Sequence, residues 1–288
     1  MKQEDLNSWE EFKERLEEIQ EETQQLKANP NRTMVTEVLY RGQSNHKWDL
    51  SSSLERIRKD ITLYEYLTIL KKIKSKVEKI SKKSWPTFSN INNCQLLSVY
   101  HFSIDLPKGT IDYMSFVRQH GFPSPLLDWT SCPYIASYFA FGSIDSNAER
   151  VAIYTFRERT GMGIDCKDTS EPQMDSLGPD IANTSPRHSK QKTQYTICIK
   201  KQKSGESLKH YIIANMEKDI NRTGFSTSDN CTEDIPEAGN VVRKYTIPVT
   251  EKKKVLKELE SKGINRELLF PNNTQDDILI DLWNKYGL

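Results

Sequence analysis

Apolar positions recur along the first third of the chain with the period of a helix. Trp9, Phe12, Leu16, Ile19 and Leu26 fall at intervals of three, four and seven within residues 8–27, which lays one apolar stripe along a helix. Glu, Gln and Lys fill most of the remaining surface. Ser8 and Glu11 have the spacing of a capping box at its start, and Asn29-Pro30-Asn31 breaks it. The same period predicts a second helix over residues 62–83. There Tyr66, Ile69, Leu70, Ile73, Val77 and Ile80 are expected to face inward, while Lys71, Lys72, Lys76, Lys79 and Lys83 populate the polar faces. A shorter helix over 111–120 ends at His120-Gly121, a cation in the last turn followed by a glycine. Thr130 or Ser131 is placed to cap the next helix, with Pro133 in its first turn and Ile135, Ala136, Phe139 and Ala140 as its buried face. A helix over 251–262 closes at Gly263, and a terminal helical pair carries Leu268, Phe270, Ile278, Ile280, Leu282 and Trp283.

Strand signals are shorter. Residues 35–40 form an extended run ending in Arg41-Gly42, and residues 151–156 are nearly all apolar or β-branched. Residues 194–200, 208–214 and 241–249 are three further candidates. Residues 158–186 and 221–240 show little periodicity and many Gly, Asp, Ser, Thr and Pro, so both read as loops. Helices, then strands mixed with helices, then a strand cluster and closing helices do not alternate as βαβα. The expected class is therefore α+β rather than a doubly wound sheet.

Composition narrows the class. With 288 residues, one large domain or two small ones are expected, and no staples are needed to hold a core of that size. Hydrophobic residues at 36% and charged residues at 28% exclude wholesale disorder, a collagen and a coiled-coil rod. No apolar run approaches the roughly 18 residues of a membrane span, and the polar start of the chain has no signal-peptide core. A cytoplasmic protein that makes no use of a membrane is the expectation. Cys94, Cys132, Cys166, Cys198 and Cys231 are odd in number and more than thirty residues apart, so reduced thiols are expected rather than a zinc knuckle. His46, His101, His120, His188 and His210 show no metal-ligand spacing and read as surface or capped histidines, with no metal implied.

Charge is balanced overall, 41 Lys and Arg against 40 Asp and Glu, but not along the chain. Residues 1–24 hold nine acids and three bases, and residues 56–83 hold ten bases and three acids. Near-zero net charge argues against a dedicated nucleic-acid binder. The basic helix over 62–83 reads first as a solvated face, with nucleic-acid contact as the alternative.

Three stretches carry candidate chemistry. Tyr40-Arg41-Gly42-Gln43-Ser44 ends a strand in a guanidinium whose N–H fork suits phosphate or carboxylate. Gly42 there would let a ligand approach the backbone. The alternative partner for Arg41 is a buried acid, Asp128 being the candidate. Residues 119–133, from Gln119-His120-Gly121 to Leu126-Leu127-Asp128-Trp129-Thr130-Ser131, form a Pro-stiffened turn that would deliver Asp, Thr and Ser to a helix N-terminus, where anions are favoured. Arg187 to Thr196 places polar groups ahead of a strand. These groups are expected to converge on one cleft, since polar groups that serve function gather in pockets.

Taken in this order, the three stretches resemble the FRG domain, a family named for its Phe/Tyr-Arg-Gly motif. Tyr40-Arg41-Gly42 matches the name. Gln119-His120-Gly121-x-Pro123-x-x-Leu126-Leu127-Asp128-Trp129-Thr130-Ser131-x-Pro133 is similar to the family's most distinctive segment, and Ala136, Tyr138, Phe139 and Ala140 follow as expected. Arg187, Gln191 and Tyr195 resemble its third block, with Thr193 in place of the usual glycine. The resemblance divides the chain into an N-terminal helical extension, 1–32, and an FRG domain with C-terminal helices, 33–288. It implies a bacterial or phage protein of a defence or toxin system with an unknown macromolecular target. A weaker likeness to mono-ADP-ribosyltransferases implies a mostly antiparallel, split sheet flanked by helices and NAD as substrate. On that likeness Arg41, Gly42, Thr130, Ser131 and Arg187 would bind NAD and Gln191 with Asp128 would orient the reacting ribose, Gln191 standing where a glutamate is expected unless Asp128 or Glu217 supplies the carboxylate. A non-catalytic nucleotide-binding or regulatory module is the alternative, and an RNA-binding protein or nuclease a further one.

Overall fold

A computed structural model describes residues 1–87, 106, 108–161, 173–177, 186–202, 208–214, 241–270 and 279–287. Eight strands form one open, mostly antiparallel sheet. In chain order these are β1 (Lys2–Asp5), β2 (Leu39–Gln43), β3 (Leu126–Thr130), β4 (Arg150–Arg157), β5 (Gln173–Leu177), β6 (Thr193–Lys201), β7 (Tyr211–Ile213) and β8 (Val241–Pro248). The spatial order is β1-β8-β4-β2-β3-β6-β5, with β7 paired to β6. The β1–β8 pair is parallel and the other pairs are antiparallel.

Local sequence explains the helices. In α1 (Trp9–Ala28) the Ser8 hydroxyl accepts from the Glu11 amide. The Glu11 carboxylate turns one residue further back than a capping box requires and accepts from the Asn7 amide at 2.8 Å. In α2 (Leu63–Ser81) the box is complete: Thr62 accepts from the Glu65 amide and Glu65 from the Thr62 amide. Its apolar stripe is buried from Leu63 to Val77, but Ile80 in the last turn is 41% exposed, not inward. Then come α3 (Thr110–Gln119), α4 (Pro133–Phe141), the single turn α5 (Pro186–Gln191), α6 (Lys252–Ser261), α7 (Arg266–Leu269) and α8 (Ile280–Tyr286). Gly263 takes a positive φ of 73° just past α6, the left-handed stop that glycine allows most easily.

Period-2 alternation separates the two faces of the sheet. On β4, Val151 and Ile153 pack with Trp9, Phe12, Ala136 and Leu259 of α1, α4 and α6, while Ala152, Tyr154 and Phe156 pack with Leu39, Trp129 and Cys198 on the other face. Further along the first face, Tyr195, Ile197 and Ile199 of β6 pack under α2, α3 and α8. Two groups of helices therefore share one face and leave the middle of the sheet between them.

Three elements depart from the expectation. Residues 2–5, for which no strand was expected, form β1 at the edge of the sheet, and Trp9 and Phe12 of α1 are fully buried. Residues 126–130, read as a turn, form β3 in the middle of the sheet. Residues 173–177, within the stretch read as loop, form β5. The loop expected over 221–240, the apolar position Ile278 and the alternative carboxylate Glu217 lie outside the described residues.

Candidate functional site

The sheet is thinnest in hydrogen bonds where β2 meets β3. Those strands pair at Tyr40–Thr130 alone, whereas β2 pairs with β4 over five residues and β3 with β6 over five. Beyond Tyr40 the two strands splay. Alternation puts Asp128, Thr130 and Tyr195 on the helix-bearing face and Arg41 and Gln43 on the other. Residues of both sets line one cleft of about 1030 Å³, at the large end of the roughly 300–1,000 Å³ range of ligand pockets.

Arg41 bridges the splay. Its Nη1 donates to the main-chain carbonyl of Asp128 at 2.6 Å, so a side chain links the strands where the ladder has stopped. Its Nε is buried and has no hydrogen-bond partner. Burial pulls the guanidinium down to about 10, against the favourable charge of Asp128 and with added repulsion from Arg118 and Arg56. It remains protonated at neutral pH.

The carboxylate of Asp128 belongs to a different arginine. Arg118, at the end of α3, holds it in a two-pronged pair, Nε to Oδ1 at 2.7 Å and Nη2 to Oδ2. Burial pushes the Asp128 carboxyl up, but Arg118 and then Arg41 outweigh it and hold the group below its usual range. Arg118 Nη1 also donates to Ser53, which receives the Ser124 amide. Sequence reasoning offered Arg41 as the acid's partner and missed Arg118. The one signal was a fork-bearing residue one turn before the Gly121 stop.

The other expected site residues divide. Arg41, Gly42, Asp128, Thr130, Arg187 and Gln191 all line the cleft. Ser131 does not: it is exposed and borders a separate cavity of about 250 Å³ with Glu158, Ser176 and Gln194. Thr130 is 3% exposed, and its hydroxyl accepts from the Cys132 amide, so it shapes the turn into α4. Neither Thr130 nor Ser131 is the helix cap. Cys132 holds that position without a side-chain bond, and Pro133 follows at the first helical position. Gly42 packs directly against α4. A Cβ there would stand 1.9 Å from the Ala136 carbonyl oxygen and 2.7 Å from the Ala140 nitrogen. The Gln191 amide donates to the Leu269 carbonyl at 2.9 Å, tying α5 to α7. Arg187 lies 4.7 Å over the Phe270 ring, and Phe270 meets Phe139 edge-on.

His188, expected at the surface, is 2% exposed in the cleft wall. Ser115 donates to the Tyr195 oxygen at 3.0 Å, and the Tyr195 hydroxyl lies 2.6 Å from His188 Nε2. That order leaves the tyrosine proton for an unprotonated Nε2. Burial drives His188 down to about 4, against the pull of Asp128, so the ring is neutral at neutral pH.

The cleft is cationic. Arg41, Lys47, Arg56, Arg118 and Arg187 line it against Asp49 and Asp128. Three of its lining residues hold a buried polar atom with no hydrogen-bond partner: Arg41 Nε, Gln119 Nε2 and Gln43 Oε1. Buried polar groups are normally satisfied, and these three are not. Among the described residues no group of His, Cys, Asp and Glu could hold a metal ion. Cys132 and Cys198 are free thiols. No described helix is long and apolar enough to cross a membrane. The lysines of α2 are absent from the cleft lining; Lys74 pairs with Glu78 and Lys76 with the Tyr286 hydroxyl.

An open mixed sheet with a cation-lined cleft at a strand splay defines the class. Residues 36–149 match the family model of the FRG domain, and the chain carries that domain. The match runs from just before β2 to the residue before β4. It includes Arg41, Arg118 and Asp128, while Arg187 and Gln191 lie beyond it. Comparison with curated proteins and with solved structures finds no match.

Proposed function

We propose that the cleft binds a nucleotide through its phosphates, with NAD as the leading ligand. The observation that carries this reading is the pairing of five cations and two carboxylates with an unpartnered, buried Arg41 Nε in one cleft of dinucleotide size. A pyrophosphate supplies both the negative charge and the acceptors, and arginine forks suit it in geometry. The same anion would offset the loss of hydration that burial imposes on Arg41 and the repulsion from Arg118 and Arg56.

Binding fits this geometry better than ADP-ribose transfer. Asp128 is committed to Arg118, and the Gln191 amide to Leu269. A carboxylate engaged in this way stabilises a developing positive charge less than an open one. The protein is therefore read as a nucleotide-binding module of the FRG class, and a role in a defence or toxin system would run through that bound nucleotide.

Titration calorimetry with NAD and ADP-ribose tests the reading. Saturable binding is expected that weakens with salt and is lost in Arg41→Met, with Arg41→Lys rescuing poorly because an ammonium has no fork. Absence of binding, or full binding by a folded Arg41→Met protein, overturns it. Nicotinamide release from NAD that depends on Gln191 would replace the binding reading with the transfer reading.

A further inference from the structure

The two ends of the cleft differ in chemistry. Towards the helix-bearing face stand Arg118 and Arg187 with Asp128 and the neutral His188, and Arg41 reaches the Asp128 carbonyl from across the splay. Towards the other face stand Gln43, Lys47, Trp48 and Asp49. Trp48 is 47% exposed, and among the described residues no ring or cation contact engages its indole. The loop that carries it is nevertheless pinned. The Trp48 amide donates to the Asn45 carbonyl, the Lys47 amide to Asn45 Oδ1 at 2.9 Å, and the His46 amide to the Arg150 carbonyl at 3.0 Å. Tyr154 in turn donates to the Trp48 carbonyl at 3.2 Å. An exposed indole on a fixed loop costs apolar hydration without a compensating contact, unless a planar group stacks on it. Beside it, Gln43 is 6% exposed and donates through Nε2 to the Asp49 carbonyl at 3.3 Å. A carbonyl can only accept, so this bond fixes which end of the amide is which. The partnerless atom is therefore the acceptor Oε1, next to the Trp48 loop.

We propose that this end of the cleft recognises the base of the nucleotide, Trp48 by stacking and Gln43 Oε1 by accepting a hydrogen bond from an exocyclic amino group. The ligand class is then an amino-base nucleotide, adenine being the type. The proposal rests on the phosphate-binding reading above and adds a specificity that reading does not require. An acceptor with no other partner favours a donor-bearing base strongly, because the analogue that lacks the amine leaves it unpaired.

The test is calorimetric titration with pyrophosphate, ADP and IDP, which has an oxygen in place of the amine. ADP is expected to bind about tenfold tighter than IDP and about tenfold tighter than pyrophosphate, the latter through stacking. Trp48→Ala, at an exposed position, should lower ADP affinity about tenfold and leave pyrophosphate unchanged. Gln43→Met should erase the difference between ADP and IDP. Where that buried change lowers the melting temperature, the ADP and IDP comparison on the unaltered protein carries the conclusion. Equal affinity for ADP and IDP, or a Trp48→Ala protein that binds ADP as well as the parent, overturns this proposal and leaves phosphate binding standing. No binding of any of the three overturns both.

Discussion

β4 and β8 pair over eight residues, from Arg150–Pro248 to Arg157–Val241, while β2 and β3 meet at Tyr40–Thr130 alone. Both regions hold arginines at least half-buried, and they treat them differently. Beside the long ladder, Arg157 donates to the Thr36 carbonyl at 3.1 Å and to Thr23 at 2.7 Å. Arg243 forks onto Glu22 at 2.7 and 3.1 Å, and Arg150 reaches Thr246 through Nε at 2.6 Å. At the splay, Arg41 donates to the Asp128 carbonyl and keeps a buried Nε without a partner. The long ladder closes its own polar groups and serves stability. The splayed junction leaves donors and an acceptor open, and a local breach of a general rule is where function is to be sought.

Four experiments break or sharpen this contrast. The largest effect is expected from Gly42→Ala, which sets a methyl against the backbone of α4 and forces the helix off β2. A loss of about 3 kcal/mol is expected, and chemical denaturation measures it. Loss of less than half that would mean that α4 can shift, and that the splay is softer than its packing indicates.

Asp128→Asn comes next. It strands Arg118 and removes the nearest countercharge of Arg41, at a cost of about 2–3 kcal/mol, the low end for a broken pair because the carboxylate side chain is 42% exposed to the cleft. The double replacement Arg118→Met with Asp128→Leu should recover most of that loss. If it does not, the pair also orders the loop through Ser53, and melting of Ser53→Ala separates that contribution.

Acid should act on the splayed region first. His188 sits at about 4 in the folded protein against 6.5 in an unfolded chain. The unfolded state therefore binds more protons between those values, so the stability from a neutral His188 is present above pH 6.5 and lost as pH falls towards 4. Between pH 7 and pH 5 the fall is about 2 kcal/mol. Asp128, also held low, adds to the same slope at more acid pH. Denaturant titrations at both pH values should show a shallower difference for His188→Gln than for the parent; an identical difference would remove His188 from the account.

The smallest change in stability, and the sharpest comparison, pairs Arg41→Met with Arg157→Met. Removing Arg157 leaves the Thr36 carbonyl without its donor and should cost about 2 kcal/mol. Removing Arg41 deletes a buried charge that the fold satisfies only in part, so stability should change by less than about 1 kcal/mol in either direction. Equal losses at the two positions would show that Arg41 is as structural as Arg157.

What the chain declares locally proved readable. Both long helices were legible from their apolar period and caps, because residues three and four apart already meet within a helix. β4, β6 and β8 were legible from dense β-branched and apolar runs. The strands missed were β1, β3 and β5, and the first two show the non-local reason. Lys2–Asp5 carries no apolar pattern and is a strand only because the edge of β8 is open to it. Residues 126–130 contain an Asp and follow two prolines, yet β6 pairs with all five of them and β2 meets them at Thr130.

The candidate site followed the same division. Arg41 and Asp128 stood out from the residues alone, since charge and fork geometry belong to the residue, while Arg187 and Gln191 stood out only through the resemblance to the FRG domain. Which of them meet was decided by tertiary structure. The Asp128 carboxylate took Arg118 rather than Arg41, Gly42 came to lie against α4, and Ser131 turned away to another cavity. Partner choice depends on where strands ten to ninety residues apart come to lie, and no local pattern encodes that. The splay between β2 and β3, which leaves Arg41, Gln43 and Trp48 around one opening, exists only once the whole sheet has formed.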